Sequence, residues 1–205
     1  MSIQAVLFDI GGVLLRTEDQ EPRRRWERKL GLPARALADA VFNCETAILA
    51  SVGQATQQDV WRAVAERFHL DDAKLRDLQR DFWAGDRLDE QLVSYLTALR
   101  PRYKTGLLSN AWLGLRALYA QWFGLTDDLV DVIIYSGEVG MMKPDARIYH
   151  LALERLKAPA EAVVFVDDVL ENVRGAQAVG MRAVQFISPA QTLAALADLL
   201  SSDRT

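Results

Sequence analysis

Residues 4–12 have the sequence QAVLFDIGG. The run Gln4–Phe8 is short and apolar, which is typical of a strand buried in a parallel sheet. Asp9 follows it directly, and a carboxylate at the end of such a strand is costly to bury without a partner. Gly11 and Gly12 then allow a sharp turn with backbone amides near any anion held there. The stretch therefore predicts either a plain turn aspartate or a carboxylate with a chemical role.

Further apolar runs extend this pattern along the chain. They are Thr105–Leu108, Val130–Tyr135, Ala162–Val166 and Ala183–Phe186. Helical patterns separate the runs from Gln91 onward. Strands that alternate with helices predict an α/β fold with a doubly wound parallel sheet of about five strands.

The segment between the first two strands has a different character. From about Thr17 to Leu88 the pattern is helical, and Thr56 with Asp59 predicts the start of one helix. We therefore expect a core domain formed by residues 1–16 and 89–205, with a helical domain of residues 17–88 inserted after the first strand. One of its helices carries a basic cluster that we expect to face solvent: Arg23, Arg24, Arg25, Arg28 and Lys29.

The composition and net charge limit the kinds of partner and metal site that the sequence predicts. The 205 residues include 24 Lys and Arg against 28 Asp and Glu, so the net charge is −4. Such a chain has no general attraction for nucleic acid or for anionic membranes. The single cysteine, Cys44, excludes an intrachain disulfide and a cysteine-based zinc site. A signal-peptide pattern and a membrane-spanning apolar stretch are both lacking, so we expect a cytoplasmic protein. The sequence does not indicate an oligomeric state.

Two polar sites follow predicted strands later in the chain. Ser109 and Asn110 come directly after a strand, where they could donate to a phosphate oxygen or cap the helix expected near Trp112. Lys143 stands before Pro144, which suits the first position of a predicted helix. It is either a solvated lysine or a cation directed at an anionic ligand.

Asp167 and Asp168 give the strongest single signal. Adjacent carboxylates after a buried strand repel one another, and a bound hard cation would relieve that repulsion. Both could alternatively cap the following helix. All four sites fall at the carboxyl ends of predicted strands, where open α/β sheets bind ligands.

Taken together, these sites resemble the four motifs of the haloacid dehalogenase superfamily. The order of Asp9, Ser109, Lys143 and the Asp167-Asp168 pair is that of the family. The stretch from Ser136 to Tyr149 is similar to the family's lysine motif. The resemblance covers essentially the whole chain, and the helical insertion sits where the family places its cap domain.

The resemblance implies a phosphatase that acts on a small phosphorylated metabolite such as a sugar phosphate. Asp9 would form an aspartyl-phosphate, and Lys143 would pair with both the phosphate and Asp9. Mg²⁺ would be held by Asp9, the Gly11 carbonyl and Asp168. Further roles follow for neighbouring residues: Asp167 would orient metal-bound water, Asn172 would support that loop, and Gly11, Gly12, Ser109 and Asn110 would contact the phosphate.

Gly11 departs from the family pattern. Phosphatases of the family usually carry a second aspartate at this position, which protonates the leaving group. Two alternatives therefore stay open: a metal-free dehalogenase, which needs no such acid, and a protein that binds phosphate or a partner with little turnover. The paired Asp167 and Asp168 argue against the metal-free enzyme.

Overall fold

A computed structural model describes residues 2–201. Its centre is a five-stranded sheet in the order β5-β4-β1-β6-β7, and all of its strand pairs are parallel. The strands are β1 (Ala5–Phe8), β4 (Lys104–Ser109), β5 (Val132–Tyr135), β6 (Val163–Asp167) and β7 (Arg182–Gln185). The predicted sheet is confirmed, with each strand within two residues of its apolar run.

Helices cover both faces of this sheet. The helices of the described chain are α1 (Glu21–Leu30), α2 (Ala36–Phe42), α3 (Glu45–Ser51), α4 (Gln57–Phe68), α5 (Asp72–Trp83), α6 (Glu90–Leu99), α7 (Leu115–Phe123), α8 (Ser136–Val139), α9 (Ala146–Leu156), α10 (Leu170–Ala178) and α11 (Pro189–Ser201). Alternate β1 side chains pack on opposite faces. Val6 and Phe8 join a hydrophobic cluster with residues of α6 and α11, whereas Ala5 and Leu7 join one with residues of α9 and α10.

The register of the sheet explains where the polar residues meet. Phe8 lies opposite Leu107 of β4 and Val166 of β6. Asp9 therefore leaves the sheet at the same edge as Ser109 and Asp167, which end those two neighbouring strands. Parallel topology alone thus gathers three distant parts of the chain into one small region.

Two strands that the sequence pattern did not predict lie at the ends of the helical segment. Leu15–Thr17 (β2) and Asp86–Leu88 (β3) pair antiparallel as a separate ribbon, with Leu15 opposite Leu88 and Thr17 opposite Asp86. Helices α1 to α5 all lie between them. Each strand has only three residues and lacks an apolar run, so periodicity could not reveal it.

The basic cluster on α1 is not uniformly solvated. Arg23 is only 7% exposed, and its guanidinium donates to Asp86 Oδ1 at 2.9 Å and to the Phe82 carbonyl. The expectation of a solvated face was therefore wrong for Arg23, because a carboxylate and a carbonyl compensate its burial. The other four basic residues of the cluster are exposed.

Two helix starts differ from expectation, and one agrees. Helix α7 begins at Leu115 and not near Trp112, and α9 begins at Ala146 with Asp145 as its N-cap, so Pro144 precedes the cap. The predicted capping of α4 is confirmed by reciprocal hydrogen bonds between Thr56 and Asp59. None of the described helices is long and apolar enough to cross a membrane.

Candidate active site

Asp9 lies in a buried position at the carboxyl end of β1. Its amide donates to the Val166 carbonyl at 2.8 Å, which continues the pairing with β6. Its Oδ1 accepts from the Ile10 amide at 2.7 Å and lies 3.0 Å from Lys143 Nζ. No described residue donates to Oδ2. The carboxylate is thus fixed through one oxygen, which leaves the other for a ligand.

Lys143 is a buried cation, with a side chain that is fully inaccessible. Its Nζ donates to the Leu108 carbonyl at 2.9 Å and to Asp167 Oδ2 at 2.6 Å, in addition to its contact with Asp9. The solvated alternative is therefore excluded. A buried ammonium requires such partners, and here they hold it between the ends of three strands.

Asp167 uses both carboxylate oxygens within the protein. Oδ1 accepts from the Val169 amide at 2.8 Å, and Asn172 Nδ2 lies 3.1 Å from each oxygen. Tyr149 in turn donates its hydroxyl to the Asn172 carbonyl at 2.8 Å. The sequence did not indicate this tyrosine contact or the Lys143–Asp167 pair, because neither follows from spacing along the chain.

Three carboxylates converge in this region. Asp9, Asp167 and Asp168 each place one oxygen within 4.8 Å of the other two. The pKa of Asp9 is raised to about 7, mainly by burial; Asp167 and Asp168 contribute to the rise, and Lys143 opposes it. Burial also raises the pKa of Asp168. A single lysine thus faces three carboxylates, and this hard-oxygen set fits a divalent cation such as Mg²⁺.

The two glycines after Asp9 have different surroundings. Gly12 has φ +79°, and a β-carbon there would lie 2.3 Å from Asp168 Oδ2, so only glycine fits. Its amide donates to the Leu15 carbonyl at 2.9 Å and is therefore engaged within the turn. Gly11 is exposed, and a β-carbon there would have no atom within 4 Å. Among the described residues, none hydrogen-bonds to its amide or carbonyl.

Ser109 and Asn110 have separate environments. Ser109 ends β4 opposite Tyr135 and is buried. The Asn110 carboxamide is bound on both sides to Lys143, donating to its carbonyl at 2.9 Å and accepting from its amide at 2.8 Å. Asn110 thus positions the lysine backbone, and its predicted contact with a phosphate stays a prediction.

Residues 3–180 match the model of the haloacid dehalogenase-like hydrolases. The protein belongs to this family. It is 30% identical over 198 residues to a phosphatase of Mycobacterium tuberculosis, covering 94% of this chain and 91% of the relative. A sesquiterpene phosphatase of Aspergillus oryzae is 27% identical over 204 residues, and the alignment covers 97% of each chain. A drimenol cyclase of Aspergillus calidoustus is 28% identical over 90% of this chain, which spans only 34% of that relative.

Solved structures share the fold of this hydrolase. A haloacid dehalogenase-like family hydrolase of Porphyromonas gingivalis has a TM-score of 0.77 at 22% identity, with 98% of each chain covered. A family enzyme of Bacteroides thetaiotaomicron, in complex with magnesium and inorganic phosphate, has a TM-score of 0.74 at 17% identity over 92% and 96% of the chains. An L-2-haloacid dehalogenase of Xanthobacter autotrophicus has a TM-score of 0.65 at 23% identity over 96% and 83%.

Proposed function

We propose that this hydrolase is a magnesium-dependent phosphatase that cleaves a small phosphomonoester through an aspartyl-phosphate on Asp9. The observation that carries the proposal is the one-sided fixation of Asp9. Lys143 and the Ile10 amide hold Oδ1, whereas Oδ2 has no partner among residues 2–201. A nucleophilic carboxylate needs this combination of fixed orientation and one available oxygen.

In the proposed first step, Asp9 Oδ2 attacks phosphorus and the bond from phosphorus to the leaving oxygen breaks. Lys143 lowers the pKa of Asp9, which favours the ionised nucleophile, and it offsets the charge of the incoming phosphate. Ser109 lies at the end of the adjacent strand, where its hydroxyl can donate to a phosphate oxygen. Water then cleaves the aspartyl-phosphate, which releases inorganic phosphate and restores the carboxylate.

The proposed metal ligands are Asp9, Asp168 and the Gly11 carbonyl. Bound there, Mg²⁺ would neutralise the repulsion between the nucleophile and the phosphate. Asp167 is already bonded by Lys143, Asn172 and the Val169 amide, so we assign it a positioning role beside the metal. The free carbonyl of Gly11 and the crowded carboxylates support this division of roles.

The substrate class rests on two considerations. Phosphatase relatives covered almost end to end favour a phosphorylated small molecule, and the sesquiterpene phosphatase shows that a relative can act on an apolar alcohol phosphate. The acidic net charge gives no reason to expect a nucleic acid or a membrane as partner. A cytoplasmic location stays a prediction.

A turnover assay with p-nitrophenyl phosphate tests the proposal. Wild-type protein should release p-nitrophenolate with Mg²⁺ and stop when EDTA is added. Asp9→Asn should lose more than about 1,000-fold in kcat because an amide cannot attack phosphorus. Circular dichroism should show an unchanged fold. A variant that keeps more than a few per cent of the wild-type rate would remove Asp9 from this role.

The dehalogenase alternative has one feature in its favour, the glycine in place of a second aspartate. Release of chloride from 2-chloropropionate in EDTA, without phosphatase activity, would establish it. The Asp168 carboxylate beside Asp9 and Asp167 speaks against it, because a metal-free reaction gives this third carboxylate no role. Phosphate binding without turnover of any phosphomonoester would instead support the binding protein.

A further inference from the structure

A groove of about 860 Å³ lies between the inserted helices and the core. Helices α4 and α5 and strand β3 line one side, and α7 lines the other. The lining contains none of the residues that converge near Lys143. Its volume falls in the range of small-molecule sites, which are roughly 300–1,000 Å³.

Aromatic side chains form much of its walls. Trp61 and Trp83 come from the inserted helices, and Trp122 and Phe123 come from α7. Trp122 is 49% exposed, which is unusual for so large an apolar side chain. Trp61 is buried, and its indole N–H has no acceptor among the described residues. Aromatic side chains of this kind suit contact with a planar ring system.

The charges of the groove are positive. Arg76, Arg80 and Arg87 line it. Arg80 pairs with Asp77 and Asp81. Arg76 and Arg87 form no ion pair with a carboxylate in the described chain. Arg87 donates hydrogen bonds to the carbonyls of Ala84 and Asp86.

The carboxylate of the lining, Asp86, offsets only part of this charge, through its attraction to Arg87. Asp86 is buried, and its Oδ1 accepts from Arg23 and from the Thr17 hydroxyl on the other side of the ribbon. The groove is therefore complementary to an anion, and guanidinium groups bind carboxylate, sulfonate or phosphate oxygens well.

We propose that this groove binds a planar aromatic anion at a site separate from the catalytic centre. The ring system lies against Trp83 and Trp122, and its anionic group meets Arg76 and Arg87. Side-chain amides of Gln57, Gln58 and Gln79 also line the groove and can bond polar ring edges. Because the walls come from both α5 and α7, a bound ligand links the inserted helices to the core.

Isothermal titration calorimetry with three probes tests this inference. The probes are naphthalene-2-sulfonate, the neutral naphthalene-2-sulfonamide and the aliphatic octane-1-sulfonate. Saturating Mg²⁺ and inorganic phosphate are present throughout to compete for the proposed site at Asp9, and the groove variants distinguish failure of this inference from failure of the proposed phosphatase. Naphthalene-2-sulfonate should bind one to one with Kd below about 1 mM, and each of the other probes should bind about tenfold or more weakly.

Matched variants locate the binding. The double variant Arg76→Gln, Arg87→Gln should weaken naphthalene-2-sulfonate about tenfold or more, whereas Arg62→Gln should not, because Arg62 lies on α4 outside the lining. Trp122→Ala should weaken all three probes. Its control is Ile187→Ala, which truncates an apolar side chain that is 76% exposed and is not part of the groove lining. All these side chains are exposed, so the fold should persist.

Several results would overturn the inference. Absence of saturable binding would exclude the site, and equal binding of octane-1-sulfonate would exclude its aromatic selectivity. Equal binding of the sulfonamide would exclude the role of the arginines. Affinity unchanged by the groove variants would place the probe elsewhere on the protein.

Discussion

On one flank of Asp9, Lys143 and the Ile10 amide fix a carboxylate oxygen, and Asn172 with Asp167 supports the lysine behind them. On the other flank, Gly11 is exposed and leaves open space. The first flank has the hydrogen bonds that would orient Asp9 as the proposed nucleophile. The second lacks the acid that protonates a leaving group. In the proposed reaction, Lys143 and the Ile10 amide support formation of the bond to phosphorus. Gly11, by contrast, supplies no proton to a leaving alkoxide.

Replacing the buried lysine should have the largest effect, because the ordered flank depends on it. Lys143→Met leaves Asp9 and Asp167 without a cation, and we expect kcat to fall about 100- to 1,000-fold. The lysine lowers the pKa of Asp9, so its loss should also move the pH profile of kcat to higher pH. Lys104→Met, on an exposed lysine at the other end of β4, is the control. An unshifted profile would contradict the assigned pairing.

Removing a proposed metal ligand should have the next largest effect. Asp168→Ala should raise the Mg²⁺ concentration for half-maximal activity at least about tenfold, since a hard cation depends on few carboxylates. Asp127→Ala removes an exposed carboxylate that pairs with Arg116, and it should leave the Mg²⁺ requirement unchanged. A Mg²⁺ titration of p-nitrophenyl phosphate hydrolysis measures both. An unaltered requirement in Asp168→Ala would move the metal away from this residue.

The neighbouring glycines provide a sharper test of the same comparison. Gly12→Ala forces a β-carbon against Asp168 and requires φ +79°, so Mg²⁺-dependent activity should fall about tenfold. Gly11→Ala should keep activity within about twofold, because open space receives the new methyl group. Equal losses in both variants would show that Gly11 is not open in the working enzyme.

Lowering the pH should weaken the binding of Mg²⁺. Burial and neighbouring carboxylates raise the pKa of Asp9 to about 7 in the metal-free protein, so the folded protein holds this proton below neutral pH. Mg²⁺ must displace it. The affinity for Mg²⁺ should therefore fall as the pH is lowered from 8 to 6, by about fivefold to tenfold over the last unit. Calorimetry in two buffers of different ionisation enthalpy would show proton release, and its absence would contradict this reasoning.

Filling the open flank should give the smallest change. Gly11→Asp supplies a carboxyl group that can protonate a departing alkoxide, and the available space accepts it. A grafted acid should recover only part of the usual ~100-fold contribution of general acid catalysis, so we expect about tenfold or less on alkyl phosphates and little on aryl ones. The rate of phosphoenzyme formation should also depend less steeply on leaving-group pKa. Equal gains on both classes would show that another group already donates the proton.

The sequence predicted the sheet well because its strands are apolar runs of ordinary length. It also indicated where Asp9, Lys143 and Asp168 lie, since parallel strands present their carboxyl ends at one edge. It did not predict the lysine pairing with Asp167, the use of Asn110 on the Lys143 backbone, or the buried Arg23. Each of these is a contact between distant residues, and local patterning carries no information about such pairs. The roles of the site residues stay predictions.

The pairing of Leu15 with Leu88 also bears on how the domain is assembled. Strands β1 and β4 are neighbours in the sheet although residues 5 and 104 mark their starts. Closing a loop costs conformational entropy that increases with its length. The β2–β3 ribbon brings together the two ends of the segment that contains α1 to α5. Once it forms, the loop that must close between β1 and β4 is effectively short. We therefore expect the insertion to be modular: it can be lengthened, shortened or replaced between two paired strands while β1 and β4 remain neighbours in the sheet.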